Sequence, residues 1–443
     1  MKRIYIHTLG CPRNQVDSDI FYSIALEYRL TITKEPKKAD IILVNTCGFI
    51  KDAKEESIDD IILMNTIRKK SSKLIVTGCL VKRYADELQK ELSEVDYFIG
   101  LKDYQRFSSL LSQILNRTVS PSYQRKLINS ESYAYLKISD GCENNCSYCS
   151  IPSIRGKVVS DSIENLVREA CYIAEQGIKE LIITAMDINQ YGKDLTSQTD
   201  IIRLLEKLVD VEGIEWIRLL YLHPKGISND LIRFMKDNKK ICPYLDIPLQ
   251  HINDKILSSM NRGINRYEIE KLINNIRTEI PDVSLRTSII LGYPGETDEQ
   301  FNELYDFVAK TKFNRLGTFI YSREEGTPAC GMPNHIDLKT AQKREKKLMQ
   351  LQERISEELL SQYVGKTLPV IIDRVERCED EVYLEGRTRY DAPEIDGIVT
   401  IENGYFPKGC IVNVEIKDNW EHDLEGCLAV QELINVTSKD NLS

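Results

Sequence analysis

Three apolar runs near the start of the chain each close on a cysteine. "RIYIHTLGC", "ADIILVNTC" and "KLIVTGC" end at Cys11, Cys47 and Cys79, and each is followed by a helix-like stretch, "QVDSDIFYSIALEY", "KDAKEESIDDIILMNTIRKK" and "KRYADELQKEL". Strand alternating with helix is the pattern of an open parallel sheet, because parallel strands need a crossover connection and a helix supplies it. In such a sheet the carboxyl ends of the strands share one edge, where loops converge and ligands bind. Three residues more than thirty positions apart are therefore expected to meet. That favours a shared ligand over three cysteines that are buried merely because cysteine usually is.

Residues 118–131, "TVSPSYQRKLINSE", lose the periodicity and read as a linker. Alternation then resumes and runs longer, through "YAYLKIS", "ELIITA", "WIRLLYL", "YLDIPL", "SLRTSIILG" and "RLGTFIYS". Six units are too few for a closed eight-fold barrel, so an incomplete parallel (β/α)6 barrel is expected. Its first strand runs straight into "GCENNCSYCSIPSIRG", residues 141–156, which places Cys142, Cys146 and Cys149 at the carboxyl mouth of the barrel. The segment "KTAQKREKKLMQLQERISEELLSQYV" carries Leu348, Leu351, Ile355, Leu359 and Leu360 at helical spacing and reads as an amphipathic connecting helix. Beyond it, "LPVIIDRV", "EVYLEGRT", "GIVTI" and "CIVNVEI" read as strands between Gly, Asp and Asn turns. The expected organisation is α/β: an N-terminal open parallel sheet domain over 1–120, a partial barrel over 130–338, a connecting helix over 339–363 and a small all-β barrel over 364–435. Three domains suit 443 residues.

Composition narrows the function classes. With 42% apolar and 29% charged residues the chain is ordinary for a globular protein, and no window offers the ~20 apolar residues of a membrane helix. The start, "MKRIYIHTLGCPRNQVDSD", lacks the apolar core of a signal peptide, so a cytoplasmic location is expected. In a reducing compartment twelve cysteines point to metal ligands, catalytic groups or buried thiols and away from disulfides. A net charge of -9 argues against nucleic-acid binding by the whole surface.

A structural zinc normally takes four protein ligands, and no fourth Cys or His follows Cys149 at finger-like spacing. A four-iron cluster held by three cysteines keeps one iron open. CxxxCxxC with an aromatic residue, Tyr148, before the last cysteine resembles the signature of the radical S-adenosylmethionine (AdoMet) superfamily. That resemblance implies that the open iron chelates AdoMet and that cleavage of AdoMet yields a 5′-deoxyadenosyl radical. No Ser-His-Asp arrangement or paired carboxylates compete with this reading. His223 and His251, at strand ends, are expected to be structural.

Cysteines in an N-terminal open sheet, a radical-AdoMet barrel and a C-terminal β domain together resemble the methylthiotransferase family, over essentially the whole chain. The resemblance implies two 4Fe-4S clusters, one on Cys142, Cys146 and Cys149 and one on Cys11, Cys47 and Cys79. It also implies replacement of C–H by C–SCH3, with one AdoMet as methyl donor and a second as radical source. An electron donor such as flavodoxin or ferredoxin and a sulfur source are implied partners. Tyr148, Asp187 in "ITAMDINQYG", Arg286, and Gly292 with Gly295 in "IILGYPGET" are the candidates for binding AdoMet, and Arg286 equally for pairing with a target carboxylate. No catalytic residue is identified beyond the cluster ligands. Cys171, Cys242, Cys330, Cys378, Cys410 and Cys427 match no ligand spacing and read as buried thiols.

One branch of the family modifies an adenosine of tRNA, the other an aspartate of ribosomal small-subunit protein twelve. "TLGCPRNQVDSD", "YLDIPLQH", "RTSIILGYPGET", "YSREEGTPA" and "YDAPEIDG" resemble the protein-modifying branch. Charge gives a separate argument: between Val364 and Val430 seven Lys and Arg stand against fifteen Asp and Glu, a net of -8. The segment resembles a TRAM domain, and an acidic one repels phosphate but attracts a basic ribosomal protein. The competing readings are that "ERCEDEVYLE" and "DNWEHDLE" are solvated faces, that the substrate is tRNA, or that the chain is a non-catalytic iron-sulfur redox sensor or ribosome-binding protein.

Overall fold

The strand ends carrying Cys11, Cys47 and Cys79 do share one sheet edge. In the computed structural model, which describes residues 2–128, 131–195, 199–378, 381–402 and 404–430, the N-terminal sheet is parallel and five-stranded, in the order β2-β1-β3-β4-β5. β1 is Arg3–Thr8, β2 Thr31–Ile32, β3 Ile41–Thr46, β4 Lys73–Gly78 and β5 Tyr97–Phe98. Central strand β3 is buried along its whole length, which is why it reads as a continuous apolar run. On one face Ile42, Val44, Leu74 and Val76 pack on Ile61 and Met64 of helix Lys51–Ile67 and on Leu80, Val81 and Leu88 of helix Cys79–Glu91. On the other, Ile4, Ile41, Leu43 and Ile75 pack on Phe21 and Ile24 of helix Pro12–Glu27 and on Phe107 and Leu110 of helix Tyr104–Leu115.

The next strands are β6 (Tyr133–Lys137), then β7 (Ser139–Asp140) and β8 (Val159–Ser160), a small antiparallel pair that brackets the cysteine loop. β9 (Glu180–Thr184), β10 (Trp216–Leu219), β11 (Ile241–Asp246), β12 (Ser284–Leu291) and β13 (Arg315–Ile320) follow. The expected six strands form one parallel sheet in the order β13-β12-β11-β10-β9-β6. Its outer face makes the largest core, Leu181, Ile183, Ile217, Leu245, Leu285 and Ile289 against the crossover helices. Its inner face presents Tyr135, Ile182, Trp216, Cys242 and Tyr244.

The C-terminal segment closes into a barrel, β14-β15-β16-β18-β17, where β14 is Thr367–Cys378, β15 Glu381–Thr388, β16 Val399–Glu402, β17 Ile411–Asn419 and β18 Leu424–Leu428. Four of these strands were expected; β18 was not. Helix Leu338–Leu360 precedes the barrel and buries Leu348, Leu351, Ile355 and Leu360. No helix among the described residues is long and apolar enough to cross a membrane.

This small barrel stoppers the amino ends of the six strands. Ile371 and Ala392 join the inner-face core. Arg387 donates to Glu180 at 2.7 Å, beside Arg218 on the same carboxylate, also at 2.7 Å. Arg315 donates to Asp391 at 2.5 Å, and Arg286 lies 3.4 Å from Asp396. Glu180 and Arg315 begin their strands; Arg218 and Arg286 are third in theirs. Part of the acidic excess that suggested a docking surface, Asp391 and Asp396, thus neutralises arginines of the partial barrel instead of facing solvent. Cys378 and the middle of "ERCEDEVYLE" lie outside the residues whose side chains are described.

Candidate functional site

The N-terminal triad is assembled by close backbone packing. Cys11 caps helix Pro12–Glu27, Cys47 follows β3, and Cys79 opens its helix directly after β4. Gly10 (φ +82°) has no room for a side chain, since a Cβ would stand 2.9 Å from the Cys47 sulfur. Gly78 (φ +106°) is tighter still, a Cβ falling 2.4 Å from the Thr46 carbonyl oxygen. Asn14, fully buried, donates to the carbonyls of Leu9 (2.9 Å) and Thr46 (3.1 Å) and so ties the first two loops together. Ser57 accepts from the Cys47 N–H and donates to its carbonyl.

The second triad is held locally. The Cys142 N–H donates to the Gly156 carbonyl and the Cys149 N–H to that of Cys146, both at 3.1 Å. Arg262 donates to the Cys146 sulfur and to the Tyr148 hydroxyl, each at 3.3 Å, and Gln190 to the Cys142 sulfur at 3.6 Å.

One side chain joins the triads. Arg155 ends the short helix Ile151–Arg155 that starts two residues after Cys149, yet its guanidinium lies 3.6 Å from the Cys79 sulfur. It is 1% exposed and pairs with Asp17 (3.3 Å) of the first helix and Asp140 (3.0 Å) just before the cysteine loop, while donating to Asn14 at 2.6 Å. Lys137 and Lys102 also pair with this acidic couple.

Burial raises most of these thiols. Cys47 and Cys142 are pushed above the usual thiol value, Cys79 to about 11 despite Arg155, and Cys149 to about 12. Burial acts on Cys11 too, but the guanidinium groups of Arg13 and Arg155 and two backbone N–H groups outweigh it and lower its value. Most of these thiols are therefore poor free nucleophiles, and a bound metal would ionise them outright. Among the described residues no three His, Cys, Asp or Glu side chains converge on a single ion. A four-iron cube puts each thiolate on its own iron, so its ligands stand farther apart than those of one zinc. Among the buried polar atoms without hydrogen-bond partners, which also occur elsewhere in the chain, are Arg13 Nε, Thr184 Oγ1 at the end of β9, Arg262 Nε beside Cys146 and Tyr321 Oη just past β13. Such groups normally find partners, and a bound ligand would supply them.

The other expected site residues fare unevenly. Tyr148 packs beside Ile256, Met260 and Tyr293, next to the loop triad. Asp187 is at the mouth, but its oxygens already accept from Asn144, Gln190, Asn189 and the His223 N–H, so it organises the loop. Arg286 is committed to Asp246 (3.0 Å) and Asp396, which leaves neither AdoMet nor a substrate its charge. The space denied to a side chain at Gly292 is occupied by Ala341 of the connecting helix. Around Gly295 a Cβ would meet nothing, as at a turn glycine. His251 is buried against Glu296. His223 caps a turn, its value pushed down to about 4 by burial and then by Arg262. Of the supposed buried thiols whose side chains are described, Cys242 alone is fully so; Cys171 is exposed, and Cys330, Cys410 and Cys427 are partly exposed. Sequence reasoning missed Arg13, Asn14, Arg155, Gln190 and Arg262. The first two stand inside the quoted motif "CPRN" and Arg155 inside "SIRG", but nothing in the sequence pairs Arg262 with Cys146.

Residues 3–100 match the family described as uncharacterized protein family UPF0004, residues 136–308 the radical SAM superfamily and residues 364–428 the TRAM domain. The chain is 44% identical to the ribosomal protein uS12 methylthiotransferase RimO of Clostridioides difficile, over 96% of this chain and 98% of that one. It is 41% identical to the RimO of Acetivibrio thermocellus, over 99% of this chain and 100% of that one. The chain belongs to the RimO family. Among solved structures the radical S-adenosylmethionine methyltransferase TsrM of Kitasatospora setae superposes with a TM-score of 0.56 at 13% identity, covering 86% of this chain and 81% of that one, which shows a shared fold. The RimO kinship covers all three folded units, so the sheet, the partial barrel and the small barrel are common to the family.

Proposed function

We propose that this chain is a radical-AdoMet methylthiotransferase that places a methylthio group on the β-carbon of an aspartate in ribosomal protein uS12. The observation that carries the reading is the pair of cysteine triads at one barrel mouth, joined by Arg155, in a chain akin over its full length to proteins named for that activity. Cys142, Cys146 and Cys149 would hold one four-iron cluster and Cys11, Cys47 and Cys79 the other, with AdoMet at the first. When bound, these groups supply the electron that cleaves AdoMet and the sulfur that is inserted. The chain's own contribution is placement: Asn14 and Arg155 fix the triads relative to one another, Arg262 and Gln190 donate to thiolates, and the small barrel closes the far end. A low-potential donor such as flavodoxin or ferredoxin and a sulfur source complete the reaction, and a ribosomal substrate assigns it to the cytoplasm. Exposed Glu402, Asp418 and Glu421 on the small barrel would draw in a basic protein.

The test is anaerobic reconstitution with iron and sulfide, then incubation with AdoMet and reductant, offering uS12 and unmodified tRNA in parallel. A gain of about 46 Da, H replaced by SCH3, on an aspartate of uS12 alone is the expected result. Gain on tRNA alone would overturn the substrate, and AdoMet cleavage with gain on neither would overturn both substrates.

A further inference from the structure

Two of the buried arginines around the triads lack a carboxylate partner, and one of these, Arg13, faces the Cys11 thiol with a free edge of its guanidinium. Arg155 is matched by Asp17 and Asp140, and Arg286 by Asp246 and Asp396. Arg262 is occupied by Cys146, Tyr148 and the Pro248 carbonyl. Arg13 is 9% exposed, and among the described residues no carboxylate comes within ion-pair reach of it. Its Nη1 donates to the carbonyl of Ala185, just past the end of β9, at 2.9 Å, and the guanidinium lies 4.5 Å from the ring centre of Tyr221. Its Nε is buried without an acceptor. A guanidinium cannot shed its proton, and a buried one that faces only the Cys11 thiol and the Tyr221 ring has an edge free for a carboxylate.

The surroundings fit an arriving anion. Thr184, on the face of β9 that Glu180 and Ile182 also present, has a buried hydroxyl without a partner one residue before Ala185. Tyr221 is held at φ +64°, a strained setting for a residue that is not glycine, with its N–H donating to Asp246 at 3.1 Å; this fixes the ring under Arg13. Arg13 is two residues from Cys11 and faces that thiol, while its guanidinium also reaches the carbonyl just past the end of β9.

We propose that Arg13 recognises the side-chain carboxylate of the substrate aspartate. The inference rests on the proposed function. The carbon that gains sulfur is bonded directly to that carboxylate, so a cation gripping the carboxylate has to sit beside the triad that would deliver sulfur. Arg13 does so. With Nη1 committed to Ala185, the Nε edge of the guanidinium is the one left to donate, in the paired geometry arginine offers to carboxylates. Asparagine in place of the target aspartate would accept less strongly there.

The test is a double-substitution cycle read by binding. Fluorescently labelled uS12, and uS12 with its modified aspartate changed to asparagine, are titrated with the reconstituted parent, Arg13→Gln and Arg13→Lys, and dissociation constants are taken from anisotropy. In the parent the asparagine form should bind at least about tenfold more weakly, the scale of a hydrogen bond between charged groups. That difference should vanish in Arg13→Gln and persist in Arg13→Lys, with iron content unchanged in both. The same discrimination in all three proteins, or loss of iron in both variants, overturns the role of Arg13 while leaving the function standing. If the parent neither binds nor modifies uS12 in either form, the proposed function fails and this inference with it.

Discussion

The two cysteine triads are built by opposite means. Cys142, Cys146 and Cys149 fall within eight residues of one loop, closed by hydrogen bonds between its own neighbours. Cys11, Cys47 and Cys79 span sixty-nine residues and meet only because three parallel strands end together and two glycines let their loops touch. The local triad is a property of sequence spacing, whereas the distributed one is a property of the folded sheet. Damage to the sheet should therefore disable one triad and spare the other.

The largest effect separates them by chemistry. Cys142→Ala should bring AdoMet cleavage, followed as 5′-deoxyadenosine, down to background. Cys11→Ala should still release 5′-deoxyadenosine but give no methylthiolated uS12 by mass spectrometry. Each should also lose about half of the chain's iron, since each removes a ligand of one cluster only. Normal methylthiolation by the Cys11 variant would end the assignment of a second cluster to the sheet.

A smaller effect tests how the triads are held. Gly78 and Gly156 share a backbone setting open mainly to glycine, φ +106° with ψ -166° and φ +76° with ψ -159°. The backbone cost of alanine is thus common to both. They differ in space: a Cβ on Gly78 meets the Thr46 backbone at 2.4 Å, and one on Gly156 meets nothing within 4 Å. Gly78→Ala should be less stable than Gly156→Ala by about 1–3 kcal/mol, the usual penalty of overpacking. It should also be the one that loses iron from the sheet triad. Equal midpoints in thermal unfolding followed by circular dichroism would show that the loops adjust and that the close approach is not what assembles the triad.

The same contrast explains what could be read from the sequence. The loop triad was legible as spacing, and the sheet triad as a repeated position at the ends of apolar runs, because buried parallel strands announce themselves. β2 and β5 were not, since "TI" and "YF" are two-residue edges whose pairing is set by neighbours. β18 escaped because "LEGCL" offers only Leu424 and Leu428 as clearly apolar anchors. Charged residues were least legible. Arg286 looked available for a ligand until Asp396, more than a hundred residues later, was folded against it, and nothing in the sequence marked Arg13 as a residue that the partial barrel would bury. A cation's role depends on which carboxylate reaches it, and that is settled by tertiary packing.

Asp140 sharpens the comparison at its joint. It stands immediately before the loop triad, and through Arg155 it is bound to Asp17 beside the sheet triad. Burial opposes its ionisation, but Lys137, Arg155 and Lys102 outweigh burial and hold its carboxyl well below the usual carboxylate range. A depressed carboxyl contributes stability that is present above the unfolded value, about 3.9, and is lost as pH falls toward the folded one. Asp140→Asn should therefore cost about 1.5 kcal/mol near neutral pH, the size of a net hydrogen bond to a charged group. The gap between parent and variant should narrow progressively below about pH 4 as the parent's own carboxyl takes up its proton. Thermal midpoints of the cluster-free proteins at neutral and acid pH give the comparison directly. A gap that stays constant with pH would mean that Asp140 holds the triads together by shape, through its bond to the Gly141 N–H, and not by charge.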